Sequence, residues 1–120
     1  MPTTPSELVH VITRTPLRYA TEAQLQEQLA AALTASGNDV TREVVLSDGS
    51  SRIDLMVGRI GLEVKVKGSL PDVRRQLSRY ARTGDLDALI LVTTRSAHHT
   101  IPATLAGIPL HLCSLVGVRL

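Results

Sequence analysis

Between Ser51 and Lys67 the chain reads SRIDLMVGRIGLEVKVK, with polar and apolar residues alternating on either side of Gly58-Arg59. Alternation of period two marks a strand with one covered face, and two such runs around a tight glycine turn predict a hairpin. In the first run Ile53, Leu55 and Val57 fall on one face, and Asp54 and Met56 on the other. In the second, Leu62, Val64 and Val66 share a face, opposite Glu63, Lys65 and Lys67. Antiparallel pairing then sets Asp54 beside Glu63 on a largely apolar sheet, with Lys65 one step away. Two carboxylates removed from water together are costly, and a divalent cation between them would offset much of their repulsion.

The flanking segments carry a helical period. Thr21-Glu22-Ala23-Gln24 is a capping box, and the QLQEQLAAAL that follows is rich in helix formers. Leu25, Leu29, Ala32 and Leu33 form its apolar stripe. Glu22 and Gln26 lie beside that stripe, whereas Glu27 points away, so Glu22 is the glutamate placed to reach the hairpin. It equally suits the first turn as a complement to the helix dipole. Ser69-Leu70-Pro71-Asp72 caps a second helix running to about Arg82. Val73, Gln76, Leu77 and Tyr80 make its inner stripe, with Arg75, Arg79 and Arg82 on another. Between the first of these helices and the hairpin, Val40 to Leu46 reads as a strand with Glu43 in its middle, an exposed strand residue or else a further ligand. Ser47-Asp48-Gly49-Ser50 is a turn.

After the second helix, Ala88 to Thr93 is an unbroken apolar run, as expected of a central buried strand joined to the hairpin by a parallel, right-handed crossover. Arg95 to Thr100 reads as a loop. His98 and His99 point apart and lack further ligands at zinc spacing, so both are expected at the surface. Ile101 to Ala106 suits a short helix, Ile108 to Leu115 a last strand, and Val116 to Leu120 its tail. At the other end, Thr4-Pro5-Ser6-Glu7 caps a helix to about Ile12, although Val9, Val11 and Ile12 also suit a strand. Residues 1–20 are expected to cover an edge of the core.

Asp54, eight residues, then Glu63-Val64-Lys65 resembles the signature of the PD-(D/E)XK nuclease superfamily. Thr21-Glu22 before the hairpin and Gln76-x-x-x-Tyr80 after it extend the likeness over residues 21–94. One departure is that Ile53, not proline, precedes Asp54. The resemblance implies an α/β fold with a restriction-endonuclease-like αβββαβ core, a mixed central sheet flanked by helices. It implies Mg²⁺ or Mn²⁺ held by Asp54, Glu63 and a backbone carbonyl, that of Val64. Lys65 would meet the scissile phosphate or the attacking water, with Glu22, Gln76 and Tyr80 completing a catalytic set. Hard oxygen ligands suit these ions; whether one or two are bound is left open by spacing. The implied activity is endonucleolytic hydrolysis of phosphodiester bonds, in DNA and in the style of small Holliday-junction resolvases or phage nucleases. A homodimer is expected, since cutting two strands needs two sites.

Composition narrows the partner. At 120 residues the chain is one domain, 43% hydrophobic without Trp or Phe, and its two tyrosines are too few for a single-strand stacking platform. Net charge is only +2, but its distribution is uneven. Residues 21–58 carry six acids against Arg42 and Arg52, whereas residues 59–82 carry seven bases against Glu63 and Asp72. Bases beside an acid cluster suit a polyanion, with Lys67, Arg75 and Arg79 as phosphate contacts. An ordinary solvated helix face explains the same bases. The lone Cys113 is expected as a small buried hydrophobe. No segment has membrane-spanning length and no signal-peptide core opens the chain, so a soluble, cytoplasmic protein is expected. Two competing readings remain. One is a catalytically silent nucleic-acid-binding or assembly module of the same fold. The other is an ion-paired α/β domain with Glu63 bonded to Lys65 or Arg52.

Overall fold

Thr4, Thr21 and Ser69 each accept a hydrogen bond from the backbone N–H three residues on, and each opens a helix. In the computed structural model, which describes residues 3–116, these are α1 (Pro5–Arg14), α2 (Glu22–Ala35) and α3 (Leu70–Ala81). The ambiguous N-terminal run is therefore helical, and proline at its first position supports that start.

The strands are β1 (Thr41–Val45), β2 (Arg52–Val57), β3 (Ile60–Lys65), β4 (Ala88–Thr93), β5 (Thr104–Leu105) and β6 (Ile108–Ser114). They form one six-stranded mixed sheet in the order β1-β2-β3-β4-β6-β5. β1, β2 and β3 pair antiparallel, β3, β4 and β6 parallel, and β5 returns antiparallel to β6. Gly58 takes a φ of 58° in the two-residue turn joining β2 to β3, a conformation glycine adopts without a Cβ clash. The chain is thus mixed α/β, with α1 and α2 on one face of the sheet and α3 on the other.

Each face has its own core. Leu8 and Ile12 of α1 and Leu25, Leu29 and Leu33 of α2 pack over Leu55, Leu62, Val64, Ile90 and Val92. Val73, Leu77 and Tyr80 of α3 pack over Ile53, Leu89 and Leu91. β4 is buried along its whole length, as its apolar run predicts. Cys113 is buried. α1 covers one face of the sheet over β4 and β6. Ile101 to Ala106 is not a helix but holds β5; Pro102 and the Ala106-Gly107 turn favour an extended return onto β6. The loop after β4 contains a 3₁₀ turn, Ser96–His98. The expected tail at Val116 to Leu120 falls, beyond Val116, outside the described residues.

The hairpin departs from simple alternation. Ile53 packs with the α3-side core, whereas Leu55 and Val57 pack with the α1/α2 side. The three do not share a face, so the phase slips by one at Asp54. The β1–β2 register skips the same rung: Arg42 pairs with Leu55 and Val44 with Ile53, leaving Glu43 and Asp54 out. Glu43 has φ 54°, the left-handed region that costs a residue with a Cβ about 1–2 kcal/mol. Both strands shift phase at one level, and the ladder then resumes unchanged.

Glu43 therefore inverts an ordinary strand preference. Glu43→Gly is expected to leave stability within about 0.5 kcal/mol, since relief of φ offsets glycine's unfolded-state entropy and the exposed Arg52 pair is worth little. Glu43→Val is expected to lose about 1–2 kcal/mol, although valine favours strands elsewhere. Urea unfolding of both variants checks this, and equal stability would mean the slip is absent in solution.

Candidate active site

The phase slip parts β2 from β3. Their register runs only from Val57–Ile60 to Leu55–Leu62. Beyond it the backbone of each strand bonds to a carboxylate of the other. The Val64 N–H donates to Asp54 Oδ2 at 2.7 Å, and the Asp54 N–H donates to Glu63 Oε1 at 3.2 Å. Two residues further, the Val66 N–H donates to Glu22 Oε1 at 3.2 Å. Glu22 stands at the first position of α2, so helix capping delivers it to the free edge of β3. In a strand, a residue's N–H and C=O point to the same side. The Val64 carbonyl therefore faces the gap occupied by Asp54.

Glu63 lies on the α3 side and is 3% exposed. The Tyr80 hydroxyl lies 2.9 Å from the Arg52 carbonyl and 3.2 Å from Glu63 Oε2, bridging α3 to both parted strands. Lys65 Nζ is 3.5 Å from the same Glu63 oxygen. Burial first, and then the Asp54 charge, push the Glu63 carboxyl up to about 8, against the pull of Lys65. Burial also raises Asp54, with Glu22 adding to the rise and hydrogen bonds to Val64 and Glu63 opposing it. The Tyr80 phenol is raised by burial and by Glu63, which keeps it a donor. The two acids thus compete for charge inside one dry corner.

A hollow of about 250 Å³ opens beside Lys65, walled by Lys67, Gly68, Asp72, Arg75, Gln76 and Arg79 among others. Gln76 is half-buried, whereas Tyr80 is fully buried, so the inner stripe of α3 turns outward at its glutamine. Arg79 is exposed and donates to the buried Ser51 hydroxyl at 3.3 Å. Arg75 pairs with Asp72 at 3.0 Å on the helix surface. Lys67 is exposed beyond the end of β3. Glu43, on the skipped rung opposite Asp54, is exposed and pairs with Arg52 at 3.2 Å.

Asp54, Glu63, Lys65, Val64, Glu22 and Tyr80 are therefore gathered where the hairpin parts, and Gln76, Lys67, Arg75 and Arg79 rim the hollow beside them. Among the described residues no three His, Cys, Asp or Glu side chains converge as a ready ligand set. Asp54 and Glu63 fit a hard divalent cation as a pair, because their charge is underbalanced and a carbonyl faces the same gap. The expectation for His98 is overturned: it is wholly buried, with Nδ1 2.6 Å from Thr93 Oγ1 and Nε2 2.7 Å from the Gly68 carbonyl. Its neighbour His99 is exposed and bonds Ser114. No local pattern distinguishes the two histidines; only the loop's path tucks one beneath the sheet end.

Scanned against protein-family models, curated proteins and solved structures, the chain matches none significantly. Among the described residues no helix is long and apolar enough to cross a membrane.

The raised Glu63 carboxyl gives a signed pH dependence. From pH 4.5 to about 8 the folded protein keeps a proton that the unfolded chain releases. The associated stability is complete below pH 4.5 and is lost as pH rises through 8, with Asp54 acting in the same direction. Urea unfolding in metal-free buffer at pH 5, 6.5 and 8 is expected to show this fall, and Glu63→Gln to remove most of it. A slope unchanged in Glu63→Gln would assign the proton elsewhere.

Proposed function

We propose that the chain is a Mg²⁺- or Mn²⁺-dependent endonuclease that hydrolyses phosphodiester bonds of DNA, with a restriction-endonuclease-like core. The observation that carries this reading is the junction of Asp54 and Glu63, where the Asp54 N–H donates to the Glu63 carboxylate and the Lys65 ammonium lies 3.5 Å from it, beside the basic hollow. The order α2-β1-β2-β3-α3-β4 supports the core assignment.

Asp54, Glu63 and the Val64 carbonyl would hold the ion. When bound, it would supply Lewis-acid charge at the phosphoryl oxygens and acidify a water. Lys65 adds fixed positive charge where negative charge develops at phosphorus. Tyr80 fixes the Glu63 carboxylate through its hydroxyl and ties it to Arg52. Glu22 anchors Val66 and so the root of the Lys67 segment. Lys67, Arg75 and Arg79 meet neighbouring phosphates, and Gln76 lies among them with a hydrogen-bonding amide. Such contacts add affinity without reading sequence. Hydrolysis adds one water across a P–O ester bond and leaves a phosphomonoester and a free hydroxyl. Cutting both strands of a duplex calls for a homodimer, and branched DNA is a substrate class worth including with linear duplex.

A silent binding module of the same fold is favoured by one observation: Asp54 and Glu22 each already serve a backbone N–H. Supercoiled plasmid incubated with Mn²⁺, Mg²⁺ or EDTA separates the readings. Metal-dependent nicking is expected, falling about 100-fold or more in Lys65→Ala. Salt-sensitive binding without any nicking would favour the module.

Asp54→Asn keeps an acceptor for Val64 but removes a ligand charge. It is expected to retain the fold while losing the gain in melting temperature that Mn²⁺ confers on the wild type. An equal gain in both proteins would remove Asp54 from the ligand set. Arg75→Ala combined with Arg79→Ala is expected to weaken binding to all duplexes alike and to lower the salt slope by about two phosphate contacts. An unchanged slope would put the nucleic acid on another face.

A further inference from the structure

The link between β3 and α3, residues 66–69, carries Lys67 and the Ser69 cap of α3, and its Gly68 forms part of the hollow's wall. It is held from two sides. Glu22 takes the Val66 N–H on one. On the other, the buried His98 reaches the Gly68 carbonyl at 2.7 Å.

A carbonyl can only accept, so His98 Nε2 carries the proton, and Nδ1 accepts from the Thr93 hydroxyl at 2.6 Å. The Thr93 oxygen in turn accepts the Arg95 N–H at 3.0 Å. The polar atoms of the two buried side chains are thereby matched, and the chain of bonds runs from the end of β4 to the wall of the hollow. Thr93 itself sits in register with Lys65. Gly68 has φ 104°, a sharp bend whose carbonyl would otherwise have no fixed direction.

We propose that His98 is a positioning residue, which fixes the 66–69 link from below and so sets Lys67 and the start of α3 around the phosphate-binding hollow. The functional half of this claim rests on the nuclease reading; the structural half does not.

The test compares His98→Gln, His98→Asn, His98→Ala and Thr93→Val in the full chain. A glutamine amide nitrogen can replace Nε2 and reach Gly68, whereas asparagine is too short. In the Ala and Asn variants, exchange of the hydrogen-bonded amides of Val66, Asp72 and Val73 is expected to accelerate about 10-fold or more, with Leu89 through Val92 unchanged. Thr93→Val, which keeps the side-chain shape, is expected to give a smaller acceleration at the same amides. Plasmid nicking with Mn²⁺ and duplex binding in EDTA are expected to fall about 10-fold or more in Ala and Asn, and to recover in Gln. Unchanged exchange at Val66, Asp72 and Val73 would overturn the proposal, even if the wild type neither binds nor cuts. Faster exchange with wild-type nicking and binding would reduce His98 to a structural clamp and overturn it too. Absence of nicking and binding in the wild type would instead reject the nuclease reading, leaving the exchange result to judge the clamp.

Discussion

The candidate site depends on one unfinished piece of sheet. β2 and β3 stop pairing beyond Leu55–Leu62, which leaves the part-buried N–H groups of Val64 and Val66 without ladder partners. Buried backbone donors left empty are costly, and the chain fills them with carboxylates from Asp54 and Glu22. The acids are therefore not ornaments on a finished fold. They terminate the sheet's edge, and in doing so they bring negative charge into the gap that a cation or proton must balance.

That balance explains why Glu63 and Lys65 occur together. Glu63 is almost completely buried, and the Lys65 ammonium at 3.5 Å only partly compensates it, because burial and Asp54 both act against its charge. A proton neutralises the pair at low pH. In the nuclease we propose, a divalent ion held by Asp54 and Glu63 would supply the balancing charge instead. The Glu63–Lys65 contact is also the one that a purely structural ion pair would make.

The parts visible in the sequence are those governed by local rules. Thr21 and Ser69 announce their helices because the capping oxygen and the N–H it serves are three residues apart. The β4 run is unambiguous because both sheet faces are covered. The adjacency of Asp54 and Glu63 follows from the length of the hairpin turn. What escapes is set by distant packing. Strict alternation puts Ile53 and Leu55 on one face, but the slip at Glu43 and Asp54 sends them to opposite cores. Glu43 gives no warning, since glutamate is neither glycine nor asparagine. His98 likewise differs from His99 only in where the 3₁₀ turn aims it, and its partners lie on Thr93 and on the far side of α3's cap. For Ile101 to Ala106, a short apolar run suits helix or strand equally, and pairing with β6 decides.

The slip and the clamps form one device. A regular hairpin would carry β2 alongside β3 to its end and cover Val64 and Val66 with ladder bonds. With the phase broken at Asp54, the Val64 N–H turns to Asp54, the Asp54 N–H to Glu63 and the Val66 N–H to Glu22. The released segment then has no strand beside it, and it is long enough to wander. Glu22 and His98 grip it at Val66 and Gly68, two residues apart and from different elements. Both grips fall on the backbone, so the path of the link is set without using the Lys67 side chain, while Lys65 stays paired with Glu63.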